Sequence, residues 1–363
     1  EHPLWFAADG KKYKEKYGFK RQDWWHHVGV ECENLRSNVG VIDVSNFAKY
    51  KVKGKNAHSW IDQVIANHVP DEIGKSCLTP LISVRGGIAG DFTVSKIDND
   101  EFLIIGSGMA ERYHSRFFQM VQKPSLVEFK SVTESLCGFN VAGPKSRDLL
   151  KRITQEQLSS DEWKFMRSKK IKIAGIDVVV IRISFTGDLG WEIYAPIAKQ
   201  LELYKVLLET GKDLDVLPIG SRSLLSLRVE KGYGSWGREY SPEYWPQEVG
   251  FEKLVKLEKS NFLGRDAYLK IKDEVAREKL VMLEVNAKND ADAVGGEPVF
   301  LPNGTLAGRV TSGAYSYTTK KSLALCMIKT SFAIPGSEFN VAIIGQDHEA
   351  VMLKTPPFDP TGI

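Results

Sequence analysis

The chain has 363 residues, 42% hydrophobic and 26% charged, ordinary values for a folded protein with material for two or three domains. Its 49 basic and 46 acidic residues leave a formal charge of +3, so no polyelectrolyte partner is implied. No apolar run approaches the roughly 20 residues of a membrane-spanning helix, and no signal-peptide pattern is visible. The lysine-rich run KKYKEKYGFKR from Lys11 reads as a solvated face rather than a nucleic-acid patch, since no recognition helix or aromatic stacking platform accompanies it. Cys32, Cys77, Cys137 and Cys326 are scattered without a CxxC pair, which fits a reducing compartment: the cytoplasm, or the mitochondrial matrix in a eukaryote. A first residue that is glutamate rather than methionine suggests a chain processed, trimmed or cut from a longer one.

In chain order, VGVIDVS and AKYKVKG read as short strands, and Asn56–Ala66 has helical spacing. SVRGGIAGDFTVSKI, from Ser83, is a hairpin with more glycine than a turn needs, followed by a strand in EFLIIGSG and a helix from about Met109 to Gln122. VEFKSVTESLCGFNVAGP holds two more strands, and PKSRDLLKRIT a helix with Pro144 near its start. KIKIAG and IDVVVIRISF form a hairpin, GDLGWEIYAP a strand, and AKQLELYKVLLETGK an amphipathic helix. LPIGSRSLLSLRVEKGYG reads as one helix ending at a glycine. These β-β-α blocks with mixed sheets occur twice, which predicts an α+β fold with pseudo-duplicated halves. The charged helix NFLGRDAYLKIKDEVAREK marks a boundary. Residues 1–278 are expected to form two α+β subdomains, and residues 279–363 a small C-terminal β-barrel or jelly-roll-like domain, with Asn303–Gly304 as a hairpin turn.

The sequence offers no metal site: His26 and His27 are adjacent and diverge in a strand, and the other histidines lack ligand spacing. It offers no GxSxG elbow, phosphate loop or GxGxxG opening a βαβ unit, so no flavin or nicotinamide site is expected within the chain. What remains are polar residues beside glycines and aromatics. Asp91 follows GGIAG and reads as a turn cap or a functional acid. Glu192, between Trp191 and Ile193, alternates to the polar face of its strand and reads first as solvated. Arg228 has Glu230 or another acid as a possible partner, and Tyr315 lies in TSGAYS. Together they suit a flat, polar heteroaromatic ligand, which needs aromatic walls, an acid and an arginine at its edges, and close backbone approach at glycine.

GVIDVSNFAKYKVKGKNAHSWIDQV, SVRGGIAGDFTVSKI, FNVAGPKSRDLL, SFTGDLGWEIY, LLSLRVEKGYGSWGREYSP, NFLGRDAYLKI and GRVTSGAYSYTTKKSLAL stand in the order of the aminomethyltransferase (glycine cleavage T-protein) family. Over nearly its whole length the chain resembles that three-domain tetrahydrofolate-binding family, and within it the C-terminal folate half of dimethylglycine and sarcosine dehydrogenases. EHPLWFA at the start resembles the segment joining the flavin half of those enzymes to the folate half. The resemblance implies that Asp91 is the catalytic acid beside the reactive folate nitrogens, and that Glu192 hydrogen-bonds the pterin. It implies that Phe185 is an aromatic wall usually supplied by tyrosine, that Arg228 matches the arginine of an LRLE-like segment, and that Trp236 replaces a tyrosine. Tyr315 would lie near the p-aminobenzoate and glutamate tail, and Leu78 stands where many relatives carry tyrosine. Gly86 and Gly87 would let the turn fold tightly beside the folate, and Gly90 would leave the pterin room.

The implied activity is capture of formaldehyde or an iminium as 5,10-methylene-tetrahydrofolate, with an upstream flavin or other demethylase module in the same chain or a partner subunit. The methylated donor would be of the dimethylglycine, sarcosine or trimethylamine-oxide type. The alternatives are a free-standing folate-dependent methyl- or aminomethyltransferase, and a non-catalytic folate-binding protein; retention of Asp91 argues against the last.

Overall fold

The structure is a computed structural model that describes residues 3–7, 11, 13, 16–288 and 290–359. It opens with an element that the sequence pattern does not reveal, helix α1 (Trp24–Ser37). Val28, Cys32 and Leu35 recur at i, i+4 and i+7 and are all buried, so one stripe faces the core. This corrects the expectation that His26 and His27 diverge in a strand. They are consecutive helical residues about 100° apart around the axis, and His27 stacks on Trp5 with ring centroids 5.0 Å apart.

Next come β1 (Val39–Asp43), β2 (Ala48–Lys53), α2 (Ala57–Asp62), β3 (Ser76–Ile82), β4 (Ile88–Asp98) and β5 (Glu101–Gly106). They are followed by α3 (Glu111–Gln119), β6 (Glu128–Ser131), β7 (Leu136–Ala142) and α4 (Ser146–Lys151). The second block contains β8 (Ser168–Ile173), β9 (Ile176–Ile181), β10 (Gly190–Pro196), α5 (Gln200–Thr210), β11 (Val216–Ile219), α6 (Ser221–Glu230) and α7 (Arg265–Ile271).

One five-stranded sheet, β3-β4-β5-β2-β6, is antiparallel throughout. The other sheet, β11-β1-β7-β10-β9-β8, is mixed, its single parallel pair being β1 with β11. The chain-order halves are therefore not the spatial halves: β1 crosses into the sheet of the second block, while β2 stays with the first. LPIG was expected to begin a helix but forms the edge strand β11 instead. Pro218 cannot donate a ladder hydrogen bond and is tolerated at a sheet edge, and α6 begins only after Gly220.

The C-terminal strands β12 (Glu278–Val285), β13 (Pro298–Phe300), β14 (Leu306–Ser316), β15 (Lys321–Lys329), β16 (Glu338–Ile343) and β17 (Gln346–Met352) close into a six-stranded barrel in the order β12-β15-β14-β13-β16-β17. Asn303–Gly304 lies in the β13–β14 connection, as expected. β15 is buried on both faces: Ala324, Cys326 and Ile328 fill the barrel, whereas Leu323 and Leu325 pack with Val229 of α6. That second face docks the barrel on α6. The two sheets meet through Ile97, Leu103 and Ile105 on one side and Ile181 and Tyr194 on the other. Of the polar residues singled out above, Asp91 lies on β4, Glu192 on β10 and Arg228 on α6, near where sheets, α6 and barrel converge, whereas Tyr315 lies on β14.

Candidate folate site

The glycines of the β3–β4 hairpin serve the chain's own packing. Gly86 has φ +85°, a left-handed conformation that glycine adopts without strain, and a Cβ there would meet Ile271 of α7 at 2.6 Å. A Cβ on Gly87 would fall 2.2 Å from the Pro242 carbonyl oxygen, and Ile88 N–H donates to the Tyr244 carbonyl at 3.0 Å. The tip is thus seated on segment 242–244. Gly90 was expected to leave room beside a ligand, but Phe92 and His114 take that room: a Cβ at Gly90 would lie 2.8 and 3.2 Å from their rings. Gly87→Ala is expected to lower stability by more than about 2 kcal/mol, because backbone blocks the new methyl and cannot swing aside; urea denaturation of the two proteins checks this.

With Gly90 and Phe92 committed to the core, strand alternation turns Asp91 to the opposite face. Its Oδ1 is buried without a hydrogen-bond partner among the described residues. Burial pushes its carboxyl up to about 6. Ile88, on the same strand, packs with Tyr240 and Trp236, and the Tyr240 hydroxyl is raised first by burial and then by the negative charge of Asp91. Trp236, from the glycine-rich loop after α6, packs edge-on against His114 (centroids 4.7 Å) and tilted against Tyr113 (5.8 Å).

Glu192 lies on β10 with Asn140 of β7 and Ile181 of β9 as its cross-strand neighbours. The solvated face expected for it does not exist: Glu192 is 6% exposed, because the first sheet and α6 cover that side. Tyr194 donates its hydroxyl to Glu192 Oε2 at 2.6 Å. Burial raises the carboxyl to about 7, against the opposing pull of that hydrogen bond and of the buried Lys49 ammonium. Since Glu192 ionises less readily folded than unfolded, its contribution to stability is full below the ordinary value of 4.5 and is lost as pH rises through about 7. Glu192→Gln is therefore expected to flatten the stability profile between those limits, read by urea denaturation at several pH values.

Asn140 went unnoticed in the sequence. Its amide nitrogen donates to the Ile183 carbonyl at 3.2 Å, while its Oδ1 is buried and unpartnered among the described residues. The available signal was a lone amide between Phe139 and Val141 in an apolar strand. Phe185 stands in the β9–β10 loop and stacks on Tyr233 at 6.0 Å and 12°. The Tyr233 carbonyl accepts from Arg228 at 2.8 Å.

Arg228 is 2% exposed, and its partner is Glu239 (2.9 Å) rather than Glu230, with Ser312 of β14 at 2.6 Å. Burial pushes Glu239 up, but Arg228 and further hydrogen bonds outweigh it and hold the carboxylate below its usual range. The guanidinium is spent on the chain itself, fixing the loop that carries Trp236. Tyr315 stands elsewhere, against Trp25 (5.4 Å) and Tyr317 (5.1 Å) with the Arg21 guanidinium over its ring at 4.3 Å. Leu78 is exposed on β3.

Trp236, Arg228 and Phe185 are thus linked through Tyr240, Glu239 and Tyr233, while Glu192 connects to the Phe185 loop through Asn140, which donates to the Ile183 carbonyl. Two unpartnered buried oxygens, on Asp91 and Asn140, and a carboxyl on Glu192 suit a flat ligand rich in N–H donors. A reduced pterin has that character. Among the described residues no group of three His, Cys, Asp or Glu is placed to hold a metal, and no helix is long and apolar enough to cross a membrane.

A sheet pair with a six-stranded barrel closing over one polar junction defines the T-protein architecture. The solved aminomethyltransferase T of the glycine cleavage system from Bartonella henselae superposes with a TM-score of 0.83 over 93% of this chain and 91% of its own, at 20% identity. Residues 1–259 match the GCVT N-terminal domain and residues 278–359 the glycine cleavage T-protein C-terminal barrel domain. The chain is 31% identical to an aminomethyltransferase of Thermoanaerobacter sp. (strain X514), covering 89% of this chain and 87% of that protein. It is 33% identical to human mitochondrial dimethylglycine dehydrogenase over 98% of this chain, but spans only 41% of that protein's length. The chain belongs to the glycine cleavage T-protein family of folate-dependent aminomethyltransferases, one-carbon transferases that use tetrahydrofolate.

Proposed function

We propose that this chain is a tetrahydrofolate-dependent one-carbon acceptor that yields 5,10-methylene-tetrahydrofolate. The one-carbon unit would be formaldehyde or an iminium released by demethylation of a methylated amine of the dimethylglycine, sarcosine or trimethylamine-oxide type. An upstream demethylase module, in the same chain or a partner subunit, would supply it, and flavin chemistry is assigned to that module. The observation that carries this reading is Asp91, whose Oδ1 is buried without a hydrogen-bond partner among the described residues.

Bound tetrahydrofolate would supply nucleophilic nitrogens able to take up the one-carbon unit. Glu192 and Asn140 would hold the pterin edge, and Phe185 and Trp236 would wall its faces. As a carboxylate, Asp91 would attract a cationic iminium and accept the proton that the attacking nitrogen gives up. The near-complete coverage of a free-standing aminomethyltransferase favours a second reading, transfer from a donor carried by another protein.

An assay separates the readings. Under the first, formaldehyde and tetrahydrofolate with the chain give methylene-tetrahydrofolate faster than the uncatalysed background. A rate equal to background, with folate bound, would favour the second reading or a non-catalytic binder.

A further inference from the structure

The loop 184–189 carries Phe185 between β9 and β10. Its internal ties are short-range: the Ser184 and Thr186 hydroxyls bond each other at 2.7 Å, Thr186 N–H donates to the Ser184 hydroxyl at 3.2 Å, and Asp188 N–H donates to the Thr186 hydroxyl at 3.3 Å. The loop is held chiefly from outside. Arg36 of α1 donates to the Thr186 carbonyl at 2.8 Å and to the Asp188 carboxylate. The same guanidinium donates at 2.7 Å to Glu230, fully buried at the end of α6. Glu230 in turn accepts from Ser316 (2.9 Å) and from the Thr318 hydroxyl (2.7 Å) at the end of β14 and just beyond it.

The segment after the barrel lies over this knot. The Phe358 ring covers the Arg36 guanidinium, 3.5 Å from carbon to centroid, and Phe358 N–H donates to the Glu230 carbonyl at 3.4 Å. Lys231 donates to the Asp359 carboxylate, and to its carbonyl at 2.9 Å. Lys231 also packs its methylenes against Gly187, where a Cβ would meet them at 2.9 Å. An aromatic lid on a guanidinium excludes water, which strengthens the ion pairs beneath it.

We propose that Pro356–Asp359 forms a clasp in which Phe358, acting through Arg36, is a positioning residue for the Phe185 loop. The ligand consequence rests on the reading that Phe185 walls the bound pterin; the effect on the loop does not. Opening the clasp lets the loop leave its binding-competent conformation, and apparent affinity falls with the competent fraction.

The test compares the full chain with Phe358→Ala and Phe358→Tyr by amide hydrogen exchange without ligand, and by tetrahydrofolate titration. Expected for Phe358→Ala are faster exchange confined to residues 184–190 and a Kd raised about fivefold, with Phe358→Tyr restoring both. Unchanged exchange in the loop would overturn the clasp, as would faster exchange spread over the whole chain, which marks a general staple. Faster loop exchange with unchanged Kd would overturn the positioning role. If the unsubstituted chain fails to bind tetrahydrofolate, the folate reading falls, while the exchange data still decide whether the clasp exists.

Discussion

Asp91→Asn is expected to slow formation of methylene-tetrahydrofolate by about 100- to 10,000-fold, the range for loss of one positioned acid–base group. Affinity for tetrahydrofolate should change little, because asparagine keeps the size and polarity of the side chain and is not buried as a charge. The expectation rests on geometry first: Gly90 and Phe92 are packed into the core, which leaves Asp91 aimed at the junction with Oδ1 unsatisfied. Burial sets the pH dependence. The carboxyl titrates near 6 rather than its ordinary 3.8, so below about 6 it holds a proton and cannot accept another. The single-turnover rate of the unsubstituted chain should therefore climb through that pH and level off above it, whereas the Asp91→Asn rate should be low and free of that rise. Equal single-turnover rates for the two proteins would remove Asp91 from the chemistry.

Arg228→Met is expected to cost about 3–5 kcal/mol of folding stability, measured by urea denaturation. Its partner Glu239 is fully buried, so removing the guanidinium strands a carboxylate away from water. Two neutral partners, the Tyr233 carbonyl and the Ser312 hydroxyl, lose their hydrogen bonds as well. The double variant Arg228→Met/Glu239→Gln should recover much of the loss, since no uncompensated charge remains. A single-variant loss below about 1 kcal/mol, the scale of an exposed pair, would mean that the pair is not buried in solution. Arg228 thus holds the loop that carries Tyr233 and Trp236, and under the proposed folate reading its effect on binding would be indirect.

Local signals in the sequence carried the sheets, the barrel and the identities of most junction residues, because short-range alternation and turn chemistry report on local structure. Helix α1 escaped that reading for a tertiary reason. Gly29 weakens the helix by about 1 kcal/mol relative to alanine, yet a Cβ there would strike the Tyr317 ring at 2.8 Å, so packing requires it. Two tryptophans and two histidines at its start also blur the apolar stripe. β11 was hidden because its pairing with β1 spans more than 170 residues. Long-range pairing also explains Asn140 and Glu192: only the β7–β10 register sets them side by side, and only the other layers make that face buried. The Arg228 partner was left open because nothing local separates Glu230 from Glu239. Glu230 is taken by Arg36, which comes from a helix nearly 200 residues upstream. Motif order singled out the residues; burial and pairing show which partners each one has.

Titration calorimetry of the unsubstituted chain with tetrahydrofolate is the most direct check on the folate site. One site with micromolar or tighter affinity is the expected result, weakened in Glu192→Gln and in Asn140→Ala. No heat of binding at micromolar concentrations would contradict the folate site and the one-carbon chemistry built on it.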